Sequence, residues 1–347
     1  CSQPTQVPND ELIPAHHRHV AGMLEQIRSI HHRLSTHRVL KASDADLVLV
    51  PAYFSVLFWL GGKHLACVNE TFAHLNHTLG RFLGLDHVII YGYEYPHWKG
   101  SPELLLESYS PHAANFLVLT VSHRDMDDRK YLRQFYQHRR FILVPYYSPF
   151  NCQREDLPKR VTIAFVGSIK IRKEFSERVY ALNALFDDPR IFFVPVPGAD
   201  DGRLQFERDY ERNDLYADSS YCLVMPGDGF TTKRFYDVFN AGCVPVVLMR
   251  PERILVFPFS SEVPWQELME VFVVESTEDV RRVYKKLLVW GDERAAQLRP
   301  LLRKWAPFVS LSLEGCHPDH PSAHDLIRLE LEDRALSLKQ NKLLFIS

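Results

Sequence analysis

No stretch of the 347 residues is long and apolar enough to read as a membrane-spanning helix. The most apolar run, Leu47 to Gly62, carries no charge, but it falls short of the roughly 18–20 residues a span requires and Pro51 interrupts it. A strand followed by a buried helix accounts for it better. No signal peptide is visible. The chain begins with Cys1, and a trimmed fragment is the expectation. Neither sign of charge dominates: 41 Lys and Arg stand against 43 Asp and Glu, a net charge of -2 with a pI near 6.8. That balance argues against nucleic acid or an anionic membrane as partner. Cysteine is sparse, and six in a chain this long do not define a disulfide scaffold. Cys222 and Cys243 sit in or beside apolar runs and read as small buried residues, either reduced or in a disulfide of unassigned pairing. There is no internal repeat and no low-complexity segment. No Gly-Lys-Ser/Thr follows any glycine loop, so there is no Walker site.

What is present is a unit running from Tyr216 to Met249. Ser220 to Met225 is a short apolar run, long enough for a buried strand and too short for a helix. Pro226-Gly227-Asp228-Gly229 breaks it. Thr231 or Thr232 can cap a helix to about Ala241, Gly242 stops that helix, and Val244 to Met249 is a second β-branched run. Strand, loop, helix and strand in this order imply a parallel sheet. The helix start joins free backbone N–H groups to the positive end of the helix dipole, where a phosphate fits. Arg234 lies in the first turn, with a guanidinium able to hold two phosphate oxygens. Asp237 shares its face and can accept from ribose hydroxyls. Phosphate binding and a plain surface ion pair between Arg234 and Asp237 both remain open on this pattern.

The residues of this unit resemble the exostosin family, glycosyltransferase family 47. The resemblance rests on Tyr221-Cys222-Leu223-x-x-Pro226-Gly227-Asp228, Thr231-Thr232-Lys233-Arg234-x-x-Asp237 and Ala241-Gly242-Cys243-Val244-Pro245-Val246. Pro258-Phe259 and Val263-Pro264-Trp265 continue it. It implies inverting transfer of a sugar from a nucleotide donor, in a GT-B fold of two facing Rossmann-like domains with a cleft between them. The expected division is residues 1–150 as an acceptor-binding domain, 151–315 as a nucleotide-sugar domain, and 316–347 as a final helix crossing back to the first. The resemblance implies a donor site of Pro226, Gly227, Asp228, Thr231, Thr232, Arg234 and Asp237. To these it adds Gly167, after the strand Val161 to Val166, and an arginine in the following helix, Arg178 or Arg172. No metal and no cofactor are expected, because helix amides and arginines can stabilise the departing diphosphate.

The first half alternates strands and helices as well. His17 to Leu34 is amphipathic, and the histidines around it (His16, His17, His19, His31, His32 and His37) read as a solvated face, since nothing acidic or sulfur-bearing is spaced to complete a metal shell. Ala45-Asp46-Leu47-x-x-Val50-Pro51-x-Tyr53 resembles an N-terminal family signature. Glu70 to Leu83 reads as a helix with Phe72, Leu75, Leu79 and Leu83 on its buried stripe. Strands follow at Asp86 to Tyr91, Phe116 to Val121 and Arg140 to Pro145. Gly84-Leu85-Asp86-His87 resembles the family's Gly-Arg-Asp-His, with leucine in the arginine place. Gly92-Tyr93-Glu94-Tyr95 falls where the family has a His-Asp-Trp-Gly-like segment, with Glu94 in the aspartate place and tyrosine in the histidine place. Glu94, which follows a strand and has aromatic neighbours, is the expected general base. His97 and His123 compete with it. Asp125-Met126-Asp127 has the spacing of a metal-diphosphate motif of another fold, but it precedes a predicted helix whose positive start suits acidic residues.

In the second half, Arg172 onward predicts a helix with Phe175, Val179, Leu182 and Phe186 on one side. Ile191 to Val196 predicts a strand and Ser276-Thr277-Glu278-Asp279 a capping box. A last helix beginning near Ser322 carries Leu326, Leu329 and Leu336. Trp290 and Trp305 read as core residues. Asn69-Glu70-Thr71 and Asn76-His77-Thr78 are N-glycosylation sequons. With the resemblance, they suggest a Golgi or endoplasmic-reticulum lumenal domain whose N-terminal membrane anchor is absent from this chain. The partners implied are a nucleotide-sugar donor, a glycan or glycoprotein acceptor, and a homo- or hetero-oligomer with another glycosyltransferase. The rival reading is a catalytically inactive exostosin-like subunit supporting such a partner, which the altered Gly92 to Tyr95 segment favours.

Overall fold

The computed structural model describes residues 18–39, 41, 44–50, 52–60, 65–79, 82–92, 106, 109–121, 141–148, 159–168, 176–185, 191–196, 214–226, 232–253, 255–311 and 322–345. They form two compact units, one of His19–Val144 with Ala323–Ser347, the other of Pro145–Ser322. Each is built on a wholly parallel sheet, so the chain is an α/β protein with two Rossmann-like layers.

The first sheet runs β1 (Val48–Val50), β2 (His87–Ile90), β3 (Leu117–Thr120) and β4 (Phe141–Leu143) in that spatial order. β2 and β3 are buried throughout, as near-continuous apolar runs in a covered parallel sheet should be. Helices α1 (Arg18–Ser35), α2 (Phe54–Leu60) and α3 (Leu65–Leu79) belong to this unit. α2 is the buried helix expected after β1, and no helix among the described residues is long and apolar enough to cross a membrane. The core gathers Val50, Phe54, Phe58, Phe72, Tyr91 and Phe116. Phe72 lies 5.8 Å from Tyr109 and 5.4 Å from Phe54, centroid to centroid. Such aromatic pairs add to burial.

Asp86 and His87 are buried as a pair, 2.9 Å from Asp86 Oδ1 to His87 Nδ1, with the imidazole stacked on Phe116. Leu85, in the family's arginine place, is exposed. α3 starts and stops earlier than its pattern suggested. Val68 joins Phe72 on the buried stripe, whereas Leu83 lies in the turn after the helix with a positive φ of 52° and is 56% exposed. Its carbonyl accepts from Asn115 Nδ2 at 2.8 Å, a turn contact in place of a core one. Gly92 closes the end of β2 against α1. A Cβ there would sit 3.0 Å from Ile27 Cγ1 and 3.1 Å from the Met23 carbonyl oxygen, and its φ is +29°, so only glycine fits.

The last helix, α7 (Ala323–Phe345), returns to this first unit. Its buried face is Ala323, His324, Leu326, Ile327, Leu331 and Ala335, while Leu329 and Leu336 are exposed. Of the three leucines the spacing singled out, only Leu326 faces in; His324 and two alanines take much of the rest of the buried face. His324 pairs with Ser29 of α1 at 2.7 Å. Burial, with Arg33 and His32 adding repulsion against the nearby Asp325, pushes its imidazole down to about 4. The native state therefore holds this histidine neutral while the unfolded chain protonates it near 6.5. Its contribution is full above that value and drains away as pH falls toward 4. We expect the melting temperature of wild type to drop by several degrees more between pH 7.5 and pH 5 than that of His324→Gln. Parallel slopes for the two proteins would show that His324 does not titrate on unfolding.

The second sheet has the order β6-β5-β7-β8-β9. Its strands are β5 (Val161–Ser168), β6 (Ile191–Val196), β7 (Ser219–Val224), β8 (Val244–Met249) and β9 (Glu270–Val273). β7 and β8 are buried at every position. Helices α4 (Ser176–Leu185), α5 (Lys233–Asn240) and α6 (Thr277–Val309) complete the unit. Ser276 caps α6, accepting from the Asp279 N–H, while Asp279 Oδ2 accepts from the Glu275 N–H at 2.9 Å. This is the reciprocal box the sequence indicates. α6 breaks at Gly291, and Asp292 just beyond takes a bidentate pair from Arg299 and a bond from Ser220 of β7, fixing the bend to the sheet. The Arg299 bonds, with Ser220, hold the Asp292 carboxyl below its usual range. Trp290 and Trp305 are half-buried and lie under lysines, Lys286 at 4.7 Å and Lys304 at 5.6 Å, so they border the core and do not fill it.

Candidate active site

The local fold around Arg234 follows from simple packing. β7 ends at Val224, and the chain re-enters as α5 with Thr232 in the N-cap position. α5 is short, eight residues, and depends on what lies behind it. Phe235 and Phe239 pack on Trp265, and Phe257 lies 4.7 Å from both Phe235 and Trp265. Trp265 Nε1 donates to the Pro258 carbonyl at 2.7 Å. The Pro258-Phe259 and Val263-Pro264-Trp265 stretches thus form an aromatic backing for the helix. Its C-terminus closes with Gly242 N–H on the Phe239 carbonyl and Cys243 N–H on the Val238 carbonyl, Gly242 taking a φ of +72°. Paired bonds of this kind with a left-handed glycine make a firm helix stop. Cys243 then bonds to Cys222 of β7 in a disulfide spanning 21 residues of sequence. The two thiols the sequence left unassigned therefore clamp both ends of the strand–loop–helix unit. Cys67 is also disulfide-bonded.

Arg234 is held at the carboxyl edge of the sheet. Its Nε donates to the Val166 carbonyl of β5 at 2.6 Å, and its Nη1 reaches the Met225 carbonyl just past β7 at 3.3 Å. The guanidinium lies over the Phe165 ring, 4.9 Å to the centroid. Two adjacent strand ends and a ring face thus fix one cation beside the first turn of α5. Ligands of parallel α/β sheets gather at this edge. The Thr232 side chain makes no cap bond to the helix, and its buried Oγ1 has no hydrogen-bond partner. The first amides of α5 are left without a side-chain acceptor from their own cap.

Asp237 is not the partner of Arg234. Its carboxylate is buried and takes both of its bonds from Lys233 Nζ, at 2.7 and 2.9 Å. An i,i+4 lysine reaches it as readily as an i,i+3 arginine, and the strand-end carbonyls hold the arginine elsewhere. Pro226 is buried at the mouth of the loop, and Gly167 lies near the end of β5. Arg178 sits in the first turn of α4 and is buried. Arg172, Gly227, Asp228, Thr231, Glu94, His97, His123, Asp125 and Asp127 lie outside the described residues. Asn69 is exposed on α3.

Sequence reasoning missed three charged residues at the same edge. The apolar stripe expected on α4 is only half-buried at Val179 and Leu182. Its buried face is Glu177, Arg178, Ala181 and Leu185. Glu177 lies within ion-pair distance of Arg250 and Arg253, which follow β8. A hydrophobic-periodicity reading assigns charged positions to solvent, so no signal in the pattern marked them.

Comparison with known proteins gives a consistent family signal. The exostosin GT47 domain model matches residues 8–287. Exostosin-2 of Bos taurus is 22% identical over 157 residues, 42% of this chain and 21% of that protein. An exostosin-1 homolog of Caenorhabditis elegans is 29% identical over 107 residues, 30% of this chain and 26% of that protein. The chain's match therefore spans about a fifth to a quarter of the length of these curated relatives. Among solved structures, the GtfA/B complex aligns over 77% of this chain and 60% of that chain, at 12% identity and a TM-score of 0.45.

Proposed function

The chain belongs to the exostosin family, whose shared unit is the GT47 domain, and on that premise we propose that it is an inverting glycosyltransferase. It takes a sugar from a nucleotide-sugar donor of the UDP class and delivers it to a glycan or glycoprotein acceptor, without a metal ion. The observation that carries this reading is Arg234, bonded to the Val166 and Met225 carbonyls at the carboxyl edge of the second sheet. In transfer, the acceptor hydroxyl attacks the anomeric carbon, the bond from that carbon to the diphosphate oxygen breaks, and the hydroxyl proton passes to a base. Negative charge grows on the departing diphosphate. A cation already fixed by two backbone carbonyls stabilises that charge without reorganising as the reaction proceeds. The first amides of α5 add partial positive charge. Glu94 is the proposed base, with His97 and His123 as its competitors.

Two features support a lumenal, secretory-pathway setting of the Golgi type. Disulfides such as Cys222–Cys243 persist in oxidising compartments, and the sequon residue Asn69 is exposed. The alternative, an inactive subunit supporting a partner transferase, draws on Tyr93 standing where the family has histidine.

The test is an incubation of the protein with a panel of sugar nucleotides and glycan acceptors in excess EDTA, reading release of free nucleoside diphosphate and the mass gained by the acceptor. Transfer from one donor in the presence of chelator is the expected result. Activity only after manganese is restored would reassign the diphosphate to a metal. Donor binding with no transfer to any acceptor would favour the supporting-subunit reading.

A further inference from the structure

The carboxyl edge of the second sheet holds a charged cluster next to Arg234. β8 ends at Met249 and the chain turns at once, the Arg253 N–H donating to the Arg250 carbonyl at 3.1 Å. Pro251 occupies the second position of this turn, which its fixed φ suits. The turn aims both arginines at α4. Arg250 Nε lies 3.5 Å and Arg253 Nε 3.4 Å from Glu177 Oε1. Arg250 also meets Glu252 Oε1 at 3.0 Å, on the exposed side of the turn. Glu177 itself is fully buried, and neither of its carboxylate oxygens has a hydrogen-bond partner. The arginine side chains remain 31% and 12% exposed.

This arrangement is a poor device for stability alone. A carboxylate taken wholly out of water loses its hydration, and two ion pairs without hydrogen-bond geometry return little of it. Apolar side chains of the same volume would hold α4 to the turn at least as well. What the arrangement does provide is direction. The buried carboxylate draws two guanidiniums together by their Nε edges, at the sheet edge where ligands of parallel sheets gather. β8 is the direct neighbour of β7, one strand spacing of roughly 5 Å away. Arg234 is bonded to the carbonyl just past the end of β7. Guanidinium forks match phosphate oxygens in pairs.

We propose that Arg250 and Arg253, oriented by the buried Glu177, form a second anion-binding element that takes phosphate oxygens of a nucleoside diphosphate beside Arg234. This deepens the donor-site reading above and rests on it. Arg250 and Arg253 touch the ligand. Glu177 is a positioning residue, since it reaches the ligand only through them.

The test is calorimetric titration of wild type, Arg250→Ala, Arg253→Ala and Glu177→Gln with UDP and GDP, the tighter of the two then being compared with its nucleoside. Wild type should bind the diphosphate. Arg253→Ala and Arg250→Ala should each weaken it about tenfold while leaving nucleoside affinity unchanged, the mark of a lost phosphate contact. Glu177→Gln keeps the shape and removes the charge, and should weaken the diphosphate several-fold with the same selectivity. Should Glu177→Gln fail to fold, the two arginine variants decide alone. Diphosphate affinity equal to wild type in both arginine variants overturns the inference and leaves the donor site at Arg234 standing. An equal loss for diphosphate and nucleoside also overturns it, because that is the signature of a general structural role. No binding of either diphosphate to wild type removes the donor-site reading and, with it, this inference.

Discussion

Replacing Arg234 by alanine is expected to lower kcat/KM for transfer by about 10²–10³-fold while the second unit stays folded. The size of the effect follows from timing. On the proposed reading the guanidinium meets the donor in the ground state, and its interaction grows as negative charge develops on the leaving diphosphate, so the loss appears mainly in the transition state. The geometry makes the residue hard to replace. One planar group contacts the Val166 carbonyl, the Met225 carbonyl and the face of Phe165. Arg234→Lys supplies the charge but has one nitrogen in place of a fork, so it cannot span two strand ends and still present donors to phosphate. It should recover less than a tenth of wild-type turnover. Stability should fall by roughly 1–3 kcal/mol, because the released carbonyls belong to the buried Val166 and Met225. The check is kcat/KM for each variant beside its melting temperature. Near-normal turnover in either variant would place the diphosphate elsewhere.

Removing the Cys222–Cys243 disulfide as the double variant C222A/C243A is expected to cost about 3 kcal/mol of unfolding free energy, on chain-entropy grounds for a loop closed over 21 residues. In a unit of this size that is a fall of roughly 10 °C in melting temperature. The loop it closes contains the whole segment proposed to bind the donor, from mid-β7 through α5 to the residue before β8. Both sulfurs belong to buried residues, so a reductant should act only when the unit opens. The loss should therefore be seen in the variant at once and in wild type only on heating with reductant. Comparing calorimetric melts of the two proteins decides it. An unchanged melting temperature in C222A/C243A would mean that the clamp contributes nothing the surrounding core does not already supply.

The central unit was legible from sequence because each of its parts has its own signal. Ser220 to Met225 and Val244 to Met249 are apolar runs of strand length, and Gly242 marks the helix stop with a residue free to take positive φ. Ser276 and Asp279 mark the start of α6 in the same way, through a local hydrogen-bond pattern. What could not be read was which of several neighbours a polar side chain selects. Lys233 and Arg234 are both spaced to meet Asp237, and only the position of the β5 and β7 carbonyls decides that the lysine takes it. The Cys222–Cys243 bond depends on strand register, Tyr221 beside Val244 and Cys222 beside Pro245. No spacing rule gives that register. Glu177 and Arg178 on the buried face of α4, and His324 on that of α7, escaped the periodicity reading for one reason: a buried polar residue looks like a solvated one until its partners are known. These polar burials cluster at the candidate ligand edge and at the seat of the last helix; functional sites are where consistency between local pattern and fold is most often set aside.

The most direct test of a nucleotide-sugar site built on Arg234 is a calorimetric titration, in excess EDTA, of wild type and Arg234→Ala with a panel of sugar nucleotides and their free diphosphates. A single saturable site for one nucleotide in wild type, weakened at least tenfold in Arg234→Ala, is the predicted result. Binding of every nucleotide unchanged by the substitution, or no binding to wild type by any member of the panel, would contradict it.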